Sequence, residues 1–157
     1  RQINTSLTLL GYGVVNGSPG GATVAGNWVI RPLSYELGNV AGQVSLDVAN
    51  NRFTLQKGVW YMDVMCNVVR DFNHTCKLRL FDYTNTAVLY SGMPTGPGPA
   101  AGSSDIAHLR YIATLGSPTV FRIEQYSSSS NADGMGKAAG GAHLEHHTLI
   151  TLQMISE

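Results

Sequence analysis

Apolar and polar residues alternate along most of the chain and no segment shows a sustained helical repeat, a pattern that predicts an all-β protein. The clearest run is residues 58–69, where Trp60, Met62, Val64, Cys66 and Val68 share one face while Asp63 and Asn67 fall on the other. Over residues 75–82, Cys76, Leu78 and Leu80 alternate with Thr75, Lys77 and Arg79. The polar link Arg70-Asp71-Phe72-Asn73-His74 between these runs predicts a hairpin. If that hairpin centres on Asp71, Cys66 and Cys76 stand opposite each other, within the Cα separation of about 4.4–6.8 Å that a disulfide needs. Buried free thiols are the reading that a reducing cytoplasm favours.

Further strands are expected at residues 27–33, 44–48, 52–55, 87–90, 106–115, 119–126 and 148–155, with Asn50-Asn51 and Gly116-Ser117-Pro118 as turns between neighbours. About nine short strands so punctuated make a sandwich or a barrel. Three segments break the pattern. Residues 1–26 hold one alternating piece, residues 5–10, followed by Gly17-Ser18-Pro19-Gly20-Gly21, and read as an N-terminal arm and flexible link that orders only against a partner. Residues 92–104 and 127–142 read as long loops of the kind that carry function or are covered by a partner. The domain proper is then residues 27–157.

A chain of 157 residues makes one domain with one core. Ten Lys and Arg balance ten Asp and Glu, and a net charge of zero argues against a nucleic-acid partner, whose phosphates demand a basic surface. Charged residues are 13% of the chain, half the ~25% of an average soluble domain. So few charges hint at exposed faces covered by assembly. No apolar run approaches the ~18 residues of a membrane span, so no membrane partner is expected.

Candidate chemistry centres on His143-Leu144-Glu145-His146-His147, with His74 and His108 elsewhere. The segment precedes a strand, so it is not a zincin helix; on a strand, His143, Glu145 and His147 share a face and at a three-fold axis would form a ring that binds metal or responds to pH. The plainer reading is a solvated strand edge. Asn131, Asp133 and Asp105 offer oxygen ligands for calcium, against which loop solvation is the simpler account. Tyr111 and Tyr126 offer rings for stacking on sugars, although sheet packing explains them equally well. Nothing resembles a nucleophile elbow, and Gly11-Tyr12-Gly13 lacks the helix and Lys of a phosphate loop, so neither catalysis nor a cofactor is expected. Three sequons, starting at Asn4, Asn16 and Asn73, would matter only in a eukaryotic secretory pathway.

The order Asn27-Trp28-Val29-Ile30-Arg31-Pro32-Leu33-Ser34, then Asn51-Arg52-Phe53-Thr54-Leu55-Gln56-Lys57-Gly58-Val59-Trp60-Tyr61, resembles the opening of phage structural domains built on a tumour-necrosis-factor or complement-globular-head jelly roll. Phe121-Arg122-Ile123-Glu124-Gln125, Gly134-Met135-Gly136 and the closing Glu145-His146-His147-Thr148-Leu149-Ile150-Thr151-Leu152 are similar to later parts of that family. The resemblance covers residue 27 to the C-terminus, roughly four-fifths of the chain.

It implies a two-sheet antiparallel jelly roll of about nine or ten strands that forms tight homotrimers. Core and trimer packing would fall to Trp28, Phe53, Trp60, Met62, Val64, Leu78, Leu80, Phe121, Ile150 and Leu152. The implied function is a non-enzymatic capsid decoration (cement) protein, made in the host cytoplasm and carried on the virion against the major capsid protein or another virion component. The alternative is a tail-fibre or head-fibre module recognising host surface glycans. A third class, a secreted cytokine-like or complement-like ligand, would give the sequons meaning.

Overall fold

A computed structural model describes residues 7–39, 42–71, 73–96, 100 and 102–157. Among these run eleven strands and no helix: β1 (Leu7–Val14), β2 (Trp28–Ile30), β3 (Tyr35–Leu37), β4 (Val44–Asp47), β5 (Arg52–Leu55), β6 (Gly58–Arg70), β7 (Cys76–Asp82), β8 (Ala87–Ser91), β9 (Ser103–Leu115), β10 (Thr119–Ser127) and β11 (Glu145–Ser156). They form a five-stranded sheet, β3-β1-β11-β6-β9, and a six-stranded sheet, β4-β5-β10-β7-β8, with β2 also paired to β10. All strand pairs are antiparallel. The inward residues of both sheets meet in one core that includes Leu10, Phe53, Trp60, Met62, Val64, Leu78, Leu80, Phe121, Ile150 and Leu152. Trp60 keeps its indole N–H satisfied by donating to the Gln56 carbonyl at 2.8 Å.

The expected all-β sandwich is therefore present, with differences of detail. Strands β6 and β7 do not form a hairpin: β6 pairs with β9 and β11, and β7 with β8 and β10, so the link after Arg70 crosses from one sheet to the other. Val68, Val69 and Arg70 are buried in succession where the chain leaves the first sheet, ending the alternation. Cys66 and Cys76 consequently lie in opposite sheets, both buried and both free. Burial pushes both thiols up, that of Cys66 against the pull of the Arg31 charge, which keeps them protonated and unreactive. Gly116-Ser117-Pro118 likewise joins β9 to β10 across the sandwich, whereas Asn50-Asn51 does close a β4–β5 hairpin.

The segment read as an arm is largely part of the domain. Residues 1–6 lie outside the described residues, but β1 is inserted between β11 and β3, and Leu10 is fully buried. Gly11 and Gly20 mark close approach: a Cβ on Gly11 would come within 2.2 Å of the Tyr35 ring, and one on Gly20 within 2.3 Å of the Met135 carbonyl oxygen. Trp28 also departs from expectation. The three-residue β2 turns Trp28 outward, where it is half-buried against Tyr126, outside the core.

Arg31, immediately after β2, is fully buried at the centre of the sandwich. Its Nε and one terminal nitrogen donate to Thr148 Oγ1 at 3.1 and 3.0 Å. The other terminal nitrogen donates to Gln125 Oε1 at 2.7 Å and the Asn67 carbonyl at 3.2 Å, and the His147 carbonyl takes the remaining N–H. Every guanidinium hydrogen thus has an acceptor, contributed by β6, β10 and β11, and none of them is a carboxylate. Burial lowers its pKa from the ordinary arginine value, against the pull of the Cys66 thiol.

Leu10→Ala should cost about 3 kcal/mol in urea unfolding, where a mobile arm would give no change. Arg31→Met, which orphans buried acceptors in both sheets, should cost about 3–5 kcal/mol, and Arg31→Lys should recover little because an ammonium has three N–H donors for four acceptor oxygens. An Arg31→Met protein as stable as wild type would show that the network is dispensable.

Candidate functional site

The outer face of the five-stranded sheet exposes several large apolar side chains. Strand register puts Tyr61 opposite Ile112, Asp63 opposite Arg110, Met65 opposite His108 and Asn67 opposite Ile106 on that face. The β11 residues Leu149 and Thr151 continue the rows beside Met65 and Asp63, and Leu9 and Leu37 extend the Thr151 row through β1 and β3. Ile112 (59%), Leu37 (57%), Ile106 (56%) and Leu7 (55%) are well exposed. Large apolar side chains exposed together on one sheet face are the feature of a surface suited to interaction.

A polar cluster sits in the middle of it. Asp63 accepts from His108 Nε2 on one carboxylate oxygen and from Arg110 Nε at 3.1 Å and the Tyr61 hydroxyl at 3.3 Å on the other. Partial burial pushes the Asp63 carboxyl up, but the hydrogen bond and charge of His108, followed by those of Arg110, outweigh it and hold the carboxyl below its ordinary value. The face therefore offers apolar contact with its central charges already paired, a composition suited to burial against another copy.

The expected His143, Glu145 and His147 constellation is not assembled. His143 lies in an exposed bend before β11. Glu145 turns to its own protomer and accepts from the backbone N–H groups of Gly140 (2.6 Å), Ala139 (3.1 Å) and Gly17 (3.3 Å), which hold its carboxyl below the usual range. His147 is buried with Nε2 donating to the Ser18 carbonyl at 3.1 Å, and its Nδ1 is buried without a hydrogen-bond partner. Gly136, at φ 129°, has to be glycine here, because a Cβ would come within 2.2 Å of that nitrogen. Among the described residues no group of three His, Cys, Asp or Glu side chains is placed to hold a metal ion. Asp105 is spent on Arg70 at 2.7 Å, and Asn131 donates its side-chain amide to Asp71 in the link after β6 at 3.4 Å and accepts from the Asp133 backbone N–H at 2.9 Å. Tyr111 stacks on Tyr90 and Tyr126 packs on Trp28, so neither ring presents a free platform.

No family model and no curated protein matches the sequence. Solved structures do match over nearly the whole chain. The globular domain of zebrafish complement 1qA superposes with a TM-score of 0.57 at 12% identity, covering 96% of each chain. Murine APRIL at pH 5.0 gives 0.56 at 9% identity over 97% of this chain and all (100%) of that one, and its pH 8.5 form gives 0.55. The fold is a C1q/tumour-necrosis-factor-like jelly roll. At such identities the match carries the architecture and none of the side-chain chemistry.

Within this jelly roll the Asp63 cluster escaped sequence reasoning. Its signal was present: Asp63 is a charge between the outward residues Tyr61 and Met65, and His108-Leu109-Arg110 places an imidazole and a guanidinium at alternate positions of a strand. What sequence could not supply was the β6–β9 register that joins them. Because the folded Asp63 carboxyl lies below its ordinary value, its pairing contributes stability that is complete above the unfolded carboxyl's pKa and is lost as pH falls through the lower folded value. Thermal melts should place Asp63→Asn below wild type at about pH 5 and bring the two together at about pH 2. A constant gap across that range would remove Asp63 from the acid response.

Proposed function

We propose that the jelly roll is a non-enzymatic structural module that assembles as a homotrimer through the outer face of β11, β6 and β9, and that it serves on the virion as a phage capsid decoration protein. The observation that carries the assembly is the apolar face itself, with Ile106, Met65 and Ile112 exposed around a paired Asp63. A surface this apolar, in a chain with only 13% charged residues, is costly to leave in water and is stabilised by burial against identical copies. Closed symmetry is the ordinary outcome for a single repeated patch, and three-fold closure is what the sequence resemblance to phage jelly rolls implies. The virion role rests on that same resemblance: the Trp28 to Ser34 and Asn51 to Tyr61 motifs in order.

Light scattering at micromolar concentration should return about three times the 16.8 kDa chain mass. Ile112→Asp and Met65→Glu, both at exposed positions of the protomer, should reduce the particle to a single chain without loss of β-sheet circular dichroism. Mixed with undecorated phage heads, the wild-type protein should bind in multiples of three copies per site. A monomeric wild type refutes the assembly, and a trimer that ignores every head refutes the decoration role.

A further inference from the structure

The opposite side of the sandwich carries a different chemistry. On the outer face of the six-stranded sheet, cations and aromatic rings alternate in one continuous ladder. Arg52 lies 3.5 Å from the Tyr83 ring centre, and Arg122 lies 5.5 Å from Tyr83 and 4.5 Å from Phe81. Arg79 follows, 5.6 Å from Phe81 and 4.1 Å from Trp28, and Lys77 closes the series 5.6 Å from Trp28 and 5.8 Å from Tyr126. Four of the ten Lys and Arg of an electrically neutral chain stand in this one row.

Two carboxylates share the face. Glu124 is nearly buried and divided between Arg79 and Arg122, while Asp47, at the β4 edge, accepts from the backbone and side-chain N–H groups of Asn50. Among the described residues Arg52 and Lys77, at the two ends of the ladder, have neither an ion-pair nor a hydrogen-bond partner, and Arg52 Nε is buried with no acceptor. Four cations against two carboxylates leave the face an excess of two positive charges, with Asp47 in register opposite Arg52, and the terminal cations are the ones whose side chains have no hydrogen-bond or ion-pair partner among the described residues.

We propose that this face is a docking surface for an acidic polysaccharide, laid along the β7–β10 stripe with its carboxylate or sulfate groups against Arg52, Arg79 and Lys77. A guanidinium stacked on a ring keeps its in-plane N–H groups available and loses little freedom when an anion arrives, which suits paired contacts to carboxylate or sulfate. Shape selects an extended chain. Same-face residues on a strand are about 7 Å apart, so the row from Lys77 to Tyr83 runs ~20 Å in one line, with Trp28 of β2 against one end and Arg52 of β5 against the other. Ring occupancy selects against nucleic acid, because the faces of Trp28, Phe81 and Tyr83 are taken by the protein's own cations and offer bases nothing to stack on. The inference is independent of trimer formation, and it gives the glycan-binding alternative drawn from the sequence a specific face.

The full chain should be titrated with fluorescently labelled heparin (sulfated), polygalacturonate (carboxylated), neutral dextran and single-stranded DNA, with light scattering on every variant so that loss of ligand and loss of assembly are read separately. Binding to heparin or polygalacturonate and not to dextran is expected at about 50 mM salt, weakening as salt rises. Arg52→Gln/Lys77→Gln should reduce affinity about tenfold and lower the slope of log affinity against log salt by about 1.5, while Lys57→Gln/Lys137→Gln, an equal charge change elsewhere, should alter affinity less than about twofold. Thr54→Glu, which adds a carboxylate beside Arg52 and removes no cation, should weaken binding comparably and covers the case in which the double variant misfolds. Absence of binding to both polyanions, equal losses in the two double variants, or tighter binding to single-stranded DNA than to either polysaccharide would overturn the assignment.

Discussion

The sandwich is organised around a buried cation without a carboxylate. A guanidinium at zero exposure is tolerable only if every N–H finds an acceptor, and Arg31 meets that condition with oxygens drawn from three strands in both sheets. Such a network is directional, unlike the surrounding leucines, and admits one relative placement of β6, β10 and β11. Replacing it with apolar side chains in concert need not weaken the protein, so what it provides is the fixed spacing of the sheets rather than cohesion. The chain segments on either side inherit that placement: Pro32 and Leu33 lead directly into β3, and β3 in turn packs Tyr35 onto Gly11 of β1.

From this follows what could be read in the sequence and what could not. Alternation at residues 58–69 identified the buried set of β6 correctly, because period two reports which face a side chain takes. It is silent on which sheet a strand joins. A hairpin and a crossing between sheets both put Cys66 and Cys76 inside, and only the consecutive burial of Val68, Val69 and Arg70 distinguishes them. The alternation of β1 was legible at residues 5–10, but the Gly-rich run that follows reads as a flexible link, and nothing in one dimension shows that β1 is inserted between β11 and β3. An arginine after Trp28-Val29-Ile30 looks like a surface residue in any one-dimensional reading, and the oxygens that justify its burial come from residues 36 to 117 positions away.

The site suffered from the same blindness to register. Three residues at alternate positions, His143, Glu145 and His147, form a pattern that the eye finds readily, yet the chain uses each locally: a bend, a set of backbone caps and a wedge against Gly136. Asp63, His108 and Arg110 are separated by more than forty positions and carry no joint signature until β6 and β9 pair. The facing of residues within a strand is legible in a sequence, whereas the chemistry those residues take part in depends on the pairing and packing that the core imposes.

A net charge of zero conceals a strong segregation. The five-stranded sheet turns outward a mostly apolar face whose one carboxylate is paired, and the six-stranded sheet turns outward a row of cations held apart by rings. In a closed ring of copies these roles are compatible, because burying the first face directs the second toward solvent on every protomer. Repetition in the proposed assembly would convert one basic stripe into several copies on a rigid particle, where a long polyanion engaging one stripe would raise the effective concentration of its remaining charges at the next. Like charges on a single protomer would repel if they were crowded, and the interleaved rings of Trp28, Phe81 and Tyr83 limit that cost by stabilising each cation individually. The sparing use of charge across the chain is therefore consistent with one sheet built to be hidden and the other built to be displayed.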